Sequence, residues 1–569
     1  MRPFTRNRSV LWTVAGLALA GFGLVLPPAA VVNRFLPPEG ALYREQLVAG
    51  FWWFKLALVL NGIALGGHRW IRLAWGKPPE QADAERGLRL DRRDVALAAF
   101  VSVVALWARA IRLDQSLIAD EIAIQQMFIA RGLPVIMTYM PPMPQHVLYS
   151  VLAYCCEFLP LPLEVSYRLP AVLFGAASPA LAYVLARRLL PRPDSFIVGL
   201  LCALSMYGVL YSQMAKSYSM TECAFLVAVL AALRITDGSM RTWPWLTLGA
   251  AIFVLVFGHL YNVFMSLGLV VALASVLAVA FRRQPATMWL AGRRLATVLT
   301  LCGIALLLVY ALQLPQLIAL SREVQTQPEE RMSARFFEGW LLQMTFWGRA
   351  EPLSYVFLLL VATGAVRLCI RGPGIMVLLA TPPAVVLLNA AVNGSFIYAR
   401  YLVFVLPLLM LCYVGNAQCL GMLSGSPAAR RVALVVLFGL YMAPTGPGLA
   451  EYYRMGHQNL RGACEYAEQV SERNDRILAY GLCFDELPFY GDRVEGVPGL
   501  QALRERTASA AADVYLLVAY PGVLAHRPED VAFIKSRYRL VKRFEGMLMD
   551  SNRRDGDVLV YKAPGKNKR

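Results

Sequence analysis

Apolar stretches of 17 to 24 residues alternate with short polar connections along most of this chain. A helix that crosses the hydrocarbon core of a bilayer needs roughly 20 mostly apolar residues. Thirteen segments qualify, near 9–32, 47–66, 94–113, 168–188, 195–212, 217–235, 243–260, 263–281, 295–314, 353–369, 374–392, 401–420 and 432–448. The first, between MRPFTRNR and LPPAAVVN, reads either as a signal peptide or as an uncleaved anchor. Its long apolar core favours the anchor, and in both cases the chain emerges on the far side.

From about residue 449 the pattern changes. RGACEYAEQVSERN has the spacing of an amphipathic helix, and the short apolar runs DRILAYG, DVYLLVAY and DVLVYKAP read as strands. Three regions follow. Residues 1–93 hold two spans and a basic loop. Residues 94–448 form a membrane core with a first long loop at 114–167 and a second at 315–352. Residues 449–569 form a small α/β domain. The expected fold class is an α-helical polytopic membrane protein with that domain appended. No internal repeat stands out, so the inverted repeats of many transporters find no support.

Of the 569 residues, 58% are hydrophobic and 16% charged, with a mean hydropathy of +0.51. That mixture is too apolar for a soluble globular protein. The net charge of +18 sits in short clusters between apolar segments, a pattern of membrane topology rather than of nucleic-acid binding. With the N-terminus in the cytoplasm, seven alternate connections collect Lys and Arg, among them Arg86 to Arg93, Arg187 to Arg192, Arg282 to Arg294 and Arg430–Arg431. The opposite connections carry few basic residues or balance them with acids. The ten cysteines lie mostly inside apolar runs with no CxxC pair, as small buried hydrophobes do. Cys464 and Cys483 stand in the tail, where nothing requires them to pair.

This topology puts the unusual polar groups on one side of the membrane, the extracytoplasmic one: QSLIADEIAIQQMFIARG (115–132), YSQMAKSY (211–218), GHLYN (258–262), FIYARY (396–401) and the tail. Ionisable groups gathered at one membrane face mark a candidate site. Asp120 and Glu121 follow the third span directly. An acidic first turn suits a helix dipole, and the same pair suits a general base with a helper carboxylate. Lys216 stands between apolar spans, among Tyr211, Gln213 and Tyr218; it is placed either to snorkel or to hold a phosphate. Arg400 has the same double reading, and its fork suits phosphate better. His259 and Tyr261 sit at a tight turn. The aromatic loop MSARFFEGWLLQMTFWGRAEP, with Trp340 and Trp347, reads as a membrane-surface segment or a lid.

Taken together, these motifs resemble the GT-C membrane glycosyltransferases related to the protein O-mannosyltransferases and the lipid A aminoarabinose transferase. SLIADEIAIQQMFIARG is similar to that family's first-loop signature, and YRLPAVLFGAASPALAYVLARRLL (167–190) to the span that follows it. YSQMAKSYSM resembles its Tyr-Ser-Gln-x-Ala-Arg-x-Tyr motif, GHLYNVFMSL its His-Tyr turn, and ARYLVFVLPLL its Arg-Tyr-Leu stretch. The five occur in the family's order over roughly 95 to 420. Ile118 stands where the family has Trp, Lys216 where it usually has Arg, and QHVLY places His146 one position off. Two spans precede the usual first one.

The resemblance implies transfer of a sugar from a polyprenyl-phosphate carrier to a lipid, glycan or protein acceptor in the cell envelope. Asp120 takes the base position and Glu121 its neighbour. Lys216 and Arg400, with Tyr211 and Tyr218, fall at the carrier phosphate. His259, Tyr261, Gln213, His146 and Tyr401 become candidate substrate contacts. The scheme requires no cofactor or metal and leaves room for a divalent cation; membrane lipids are the other expected partners. The alternative is a polytopic lipid or sugar transporter or flippase, which calls for ionisable groups near the midplane and paired broken helices.

Overall fold

A bilayer offers backbone amides no partner, so apolar segments must close their hydrogen bonds internally as helices. The computed structural model describes residues 4–27, 44–76, 89–140, 145–323, 339–341, 343–345, 351–393, 397–424, 426–547 and 556–566. Each of the thirteen predicted apolar segments is helical over most of its described length. Nine helices among the described residues are long and apolar enough to cross a membrane, ten if one bent pair counts as a single span. Three further predicted spans fall short of that standard. Thr242–Gly258 has only 17 residues, the apolar part of the first helix is Val10–Val25, and Arg92–Ala110 carries Arg92, Arg93, Asp94 and Arg109.

The centre of the bundle is formed by Tyr218–Thr236 and Ala399–Gln418, whose apolar windows are 78% and 89% buried, against 22% for the peripheral Pro285–Tyr310. The bent pair is Arg192–Leu204 and Met206–Ser212, turned by 52°. Ser205 adopts an extended backbone there and caps the second piece by accepting from the Gly208 amide at 3.4 Å. The break swings Tyr207 and Tyr211 into the bundle and delivers the loop 213–217 to its middle.

At one end of the bundle, Asp94 accepts from the Tyr183 hydroxyl at 2.6 Å and from Nε of both Arg187 and Arg192 at 2.9 Å. Arg188 pairs with Asp237, and Arg430 with Asp194, both at 2.6 Å. From Asp94 the helix Arg92–Ala110 rises about 1.5 Å per residue, so Asp120, beyond its other end, belongs to the opposite face. The two N-terminal helices, Phe4–Val25 and Arg44–Gly66, meet through small residues. A Cβ added to Gly62 would lie 2.6 Å from the Gly16 carbonyl and the Ala20 amide, the close approach by which helices associate in lipid. Asn61 Nδ2 ties the pair to the Ile304 carbonyl at 3.1 Å.

The tail forms a five-stranded mixed sheet: β1 (Arg476–Gly481), β2 (Val494–Val497), β3 (Val514–Ala519), β4 (Arg539–Phe544) and β5 (Val558–Ala563). Their order is β2-β1-β3-β5-β4; β1 is parallel to β2 and β3, while β5 is antiparallel to β3 and β4. The three strands expected from apolar runs are β1, β3 and β5. β2 has only four residues, and β4, RLVKRF, is a charged edge strand with a bulge between Leu540 and Lys542, so neither carries an apolar run. The amphipathic helix Leu460–Val470 buries Leu460, Ala463, Cys464 and Ala467, one helical face, against the sheet. Cys464 and Cys483 are both free thiols, and Cys464 Sγ donates to the Leu487 carbonyl at 3.3 Å.

Removing the Asp94 carboxylate strips three side chains, Tyr183, Arg187 and Arg192, and the Asp91 amide of their acceptor. Because Arg192 keeps 31% of its side chain exposed, the cost falls below the 3–5 kcal/mol of a fully buried pair, at about 1–3 kcal/mol. Asp94→Ala is therefore expected to lower the unfolding temperature in detergent while leaving ligand binding at the opposite face intact. Unchanged thermal stability would show that the network does not hold the bundle.

Candidate active site

The first loop is shaped by one arginine inside an apolar span. Arg168, fully buried, donates from NH1 to the carbonyls of Leu113 and Gln115 at 3.1 and 2.6 Å, and from NH2 to that of Ser116 at 2.9 Å. It also grips Glu121 in a fork, Nε to Oε1 at 3.2 Å and NH2 to Oε2 at 2.6 Å. Glu121 accepts further from the amides of Ile118 at 3.0 Å and Ala215 at 2.5 Å. Its oxygens are thereby occupied and buried. Glu121 thus couples the helix Ala119–Met127 to the loop 213–217 rather than facing the cavity beside Asp120.

With that frame fixed, the adjacent Asp120 points the other way. Its Oδ2 lies 2.5 Å from Lys216 Nζ and 3.9 Å from Arg400 NH1. Lys216 is buried, whereas a third of the Asp120 side chain stays accessible. The charge of Lys216, followed by that of Arg400, holds the Asp120 carboxyl down to about 2 against the opposing effect of burial. Burial pulls the Lys216 ammonium below its ordinary value; Asp120 opposes this and Arg400 adds to it. Arg400 stacks 3.9 Å over the Tyr398 ring, a cation–π contact. The Tyr207 hydroxyl steadies this segment by donating to the Ala399 carbonyl at 2.5 Å.

Aromatic rings close the other side. Tyr211 packs edge-on against Tyr207 and Tyr218, with centroids 4.7 and 5.4 Å apart. His146 bonds Ser217 Oγ through Nδ1 at 2.6 Å and lies 4.8 Å, centroid to centroid, from His259, which in turn lies 4.9 Å from Tyr401. Tyr261 stacks on Tyr401 at 5.6 Å. Burial first, then the charges of Arg400 and Lys216, lowers His259 to about 4; burial, then His259 and the same two cations, lowers His146 well below its ordinary value. Tyr218, Thr221, His259, Asn262, Arg400 and Tyr401 border a small cavity of about 10 Å³, room for about one water molecule. His146 sits behind Lys216 as a support, despite its shifted place in the sequence.

Gln213 does not reach this cavity. Its amide nitrogen donates to the carbonyls of Arg109 and Ile111 at 2.7 and 2.8 Å, and its oxygen accepts from the Tyr452 hydroxyl at 2.5 Å. Tyr452 also contacts Gln115 at 3.0 Å and His457 at 2.9 Å. Sequence reasoning missed Arg168 and Tyr452. An arginine within an apolar span was the available signal for the first; the second had none. Trp340 is buried in the core rather than lying at a membrane surface; Trp347 and most of the predicted lid lie outside the described residues. Among the described residues, no three metal-ligating side chains converge.

No family model and no curated protein matches this chain. Several solved structures are similar to it. ArnT from Cupriavidus metallidurans in the apo state is 13% identical, with a TM-score of 0.48 over 82% of this chain and 97% of that one. The same protein bound to undecaprenyl phosphate is 14% identical, with a TM-score of 0.46 over 84% and 98%. The oligosaccharyltransferase AglB from Archaeoglobus fulgidus, in complex with an inhibitory peptide and a dolichol-phosphate, is 10% identical, with a TM-score of 0.44 over 79% and 73%. With TM-scores below 0.5, these are partial likenesses of architecture.

Because Lys216 is the larger cause of the low Asp120 value, Lys216→Met is expected to raise that carboxyl from about 2 toward its ordinary 3.8. A depressed carboxyl stabilises the fold fully above 3.8 and loses that contribution as pH falls through about 2. Infrared titration of the carboxylate band in wild type against the variant reads the shift directly. An unmoved band would remove Lys216 as its cause.

Proposed function

We propose that this chain is a membrane glycosyltransferase that moves a sugar from a polyprenyl-phosphate carrier to an acceptor at the extracytoplasmic face of the plasma membrane. The observation that carries the reading is the contact of Lys216 and Arg400 with the partly accessible carboxylate of Asp120, at 2.5 and 3.9 Å. Three chain segments, separated by roughly a hundred residues or more, converge there at one end of the bundle. The alternation of basic connections supports a cytoplasmic N-terminus, with this end and the tail outside.

In the mechanism, Asp120 takes the proton of an acceptor hydroxyl as its oxygen attacks the anomeric carbon. The carbon–oxygen bond to phosphate breaks, and polyprenyl phosphate departs with the electron pair. A phosphodiester with one negative charge becomes a monoester tending toward two. Lys216 and Arg400 meet the charge that develops, which is where electrostatic catalysis acts most strongly. One displacement inverts the anomeric configuration.

A carboxyl held near 2 is a weak base. Once a phosphate draws Lys216 and Arg400 toward itself, the chief cause of that depression weakens and the basicity of Asp120 rises. Donor binding thus arms the base. Tyr218, His259 and Tyr401 offer the flat surfaces on which sugar C–H groups stack. The transporter reading calls for broken helices in paired positions, whereas one broken pair occurs among the described residues.

The test is release of polyprenyl phosphate from a panel of polyprenyl-phosphate sugars by purified protein in native lipid extract. Asp120→Asn should fold normally and release it about 10²–10⁴-fold more slowly, the range for loss of a general base. Equal rates in variant and wild type would end the base assignment. Silence from both over a broad panel would overturn the transferase reading.

A further inference from the structure

The parallel strands of the C-terminal sheet end along one edge, β1 at Gly481 and β3 at Ala519. In open α/β sheets ligands bind beyond the carboxyl ends of such strands. Here that edge is turned toward the membrane core. Past β1 the backbone turns through Gly481 at φ 94°, and the following Cys483 and Leu487 share a buried cluster with Ala119 and Ile122, which flank Asp120. The Tyr490 hydroxyl accepts from the Leu117 amide at 2.8 Å, locking this loop to the first loop.

Past β3, Tyr520 adopts φ 53° and ψ 57°, a left-handed conformation that is strained for a non-glycine residue. Such strain persists where surroundings hold it and clusters at functional sites. The Tyr520 side chain packs against both the membrane core and the first-loop cluster. Its hydroxyl lies in the electrostatic field of Asp120 and Arg400. Glu486 interacts electrostatically with Asp120 and with Asp485, and its Oε2 is buried with no hydrogen-bond partner. Burial, with those two carboxylates adding, pushes the Glu486 carboxyl up to about 7. An unsatisfied buried oxygen is costly, a cost that a bound group with a hydroxyl would remove.

We propose that the C-terminal domain forms the acceptor side of the active site, where Glu486 Oε2 accepts a hydrogen bond from an uncharged, hydroxyl-bearing acceptor held against Tyr520. The proposal rests on the transferase reading and names its acceptor class. Beside Asp120, which Lys216 and Arg400 already partner, Glu486 adds a second carboxyl with an unsatisfied oxygen, a group that favours an uncharged hydroxyl over an acceptor phosphate. The sugar is therefore delivered to a carbon-borne hydroxyl, as in a neutral glycan, and the proton that leaves this hydroxyl goes to Asp120.

The experiment uses the native host lacking the gene, complemented with full-length wild type, Asp120→Asn, Glu486→Ala or Glu486→Gln. Mass spectrometry of the extracted envelope glycoconjugates gives the amount and the linkage of the added sugar, and binding of undecaprenyl phosphate to each purified protein reports the donor side. Glu486→Ala should lower the product at least about tenfold, the loss of roughly 1.4 kcal/mol, at wild-type protein level and undecaprenyl-phosphate affinity. Glu486→Gln, which keeps an acceptor oxygen, should restore much of it, and the linkage should be glycosidic to a carbon hydroxyl. Wild-type product from Glu486→Ala, in cells where Asp120→Asn makes none, would overturn this proposal alone. A sugar found linked through an acceptor phosphate would overturn the acceptor class. Product from Asp120→Asn equal to wild type would instead end the base assignment, and no added sugar even with the wild type would bring down the transferase reading beneath it.

Discussion

The site depends on the buried pair of Arg168 and Glu121. All five donors of the guanidinium are engaged, three on loop carbonyls and two on one carboxylate. A buried ion pair repays its desolvation only when the remaining donors and lone pairs are also met, and here they are. The result is geometric. Two adjacent carboxylates are forced apart in role, Glu121 inward as an anchor and Asp120 toward the opening. The same anchor holds the Ala215 amide at 2.5 Å, which sets Lys216 one residue further on against Asp120.

At the centre so built, Lys216 and Arg400 converge on one carboxylate that is itself one-third accessible. In a low-dielectric site, cations hold an added anion strongly. On the proposed function, the donor phosphate supplies that anion and, by doing so, releases Asp120 from the contact that suppresses its basicity. On that reading binding and activation become one event, and burial disfavours a competing charge on His146 and His259.

How much of this was legible in the sequence follows from the range of each interaction. Apolar length gave the spans because burial in lipid acts on local composition. Asp120, Lys216 and Arg400 were legible because the connections opposite the basic clusters carry few charges. Gln213 looked like a substrate contact from its neighbours, yet it braces Arg109 and Tyr452. Arg168 was absorbed into the start of a span, and its partners lie 47 to 55 residues away. Glu486 and Tyr520 left no sign at all. Their place beside Asp120 comes from docking of the tail, as in the contact between Leu117 and Tyr490, 373 residues apart; no periodicity encodes such a pairing.

The most direct test of the central claim is the affinity of purified protein for undecaprenyl phosphate at neutral pH. If Asp120 occupies the cations that a phosphate claims, removing its charge in Asp120→Asn frees them and binding tightens, whereas Lys216→Met weakens it. Opposite shifts in the two variants are the predicted result. Equal affinity across wild type and both variants would contradict the account, because the phosphate would then be held elsewhere.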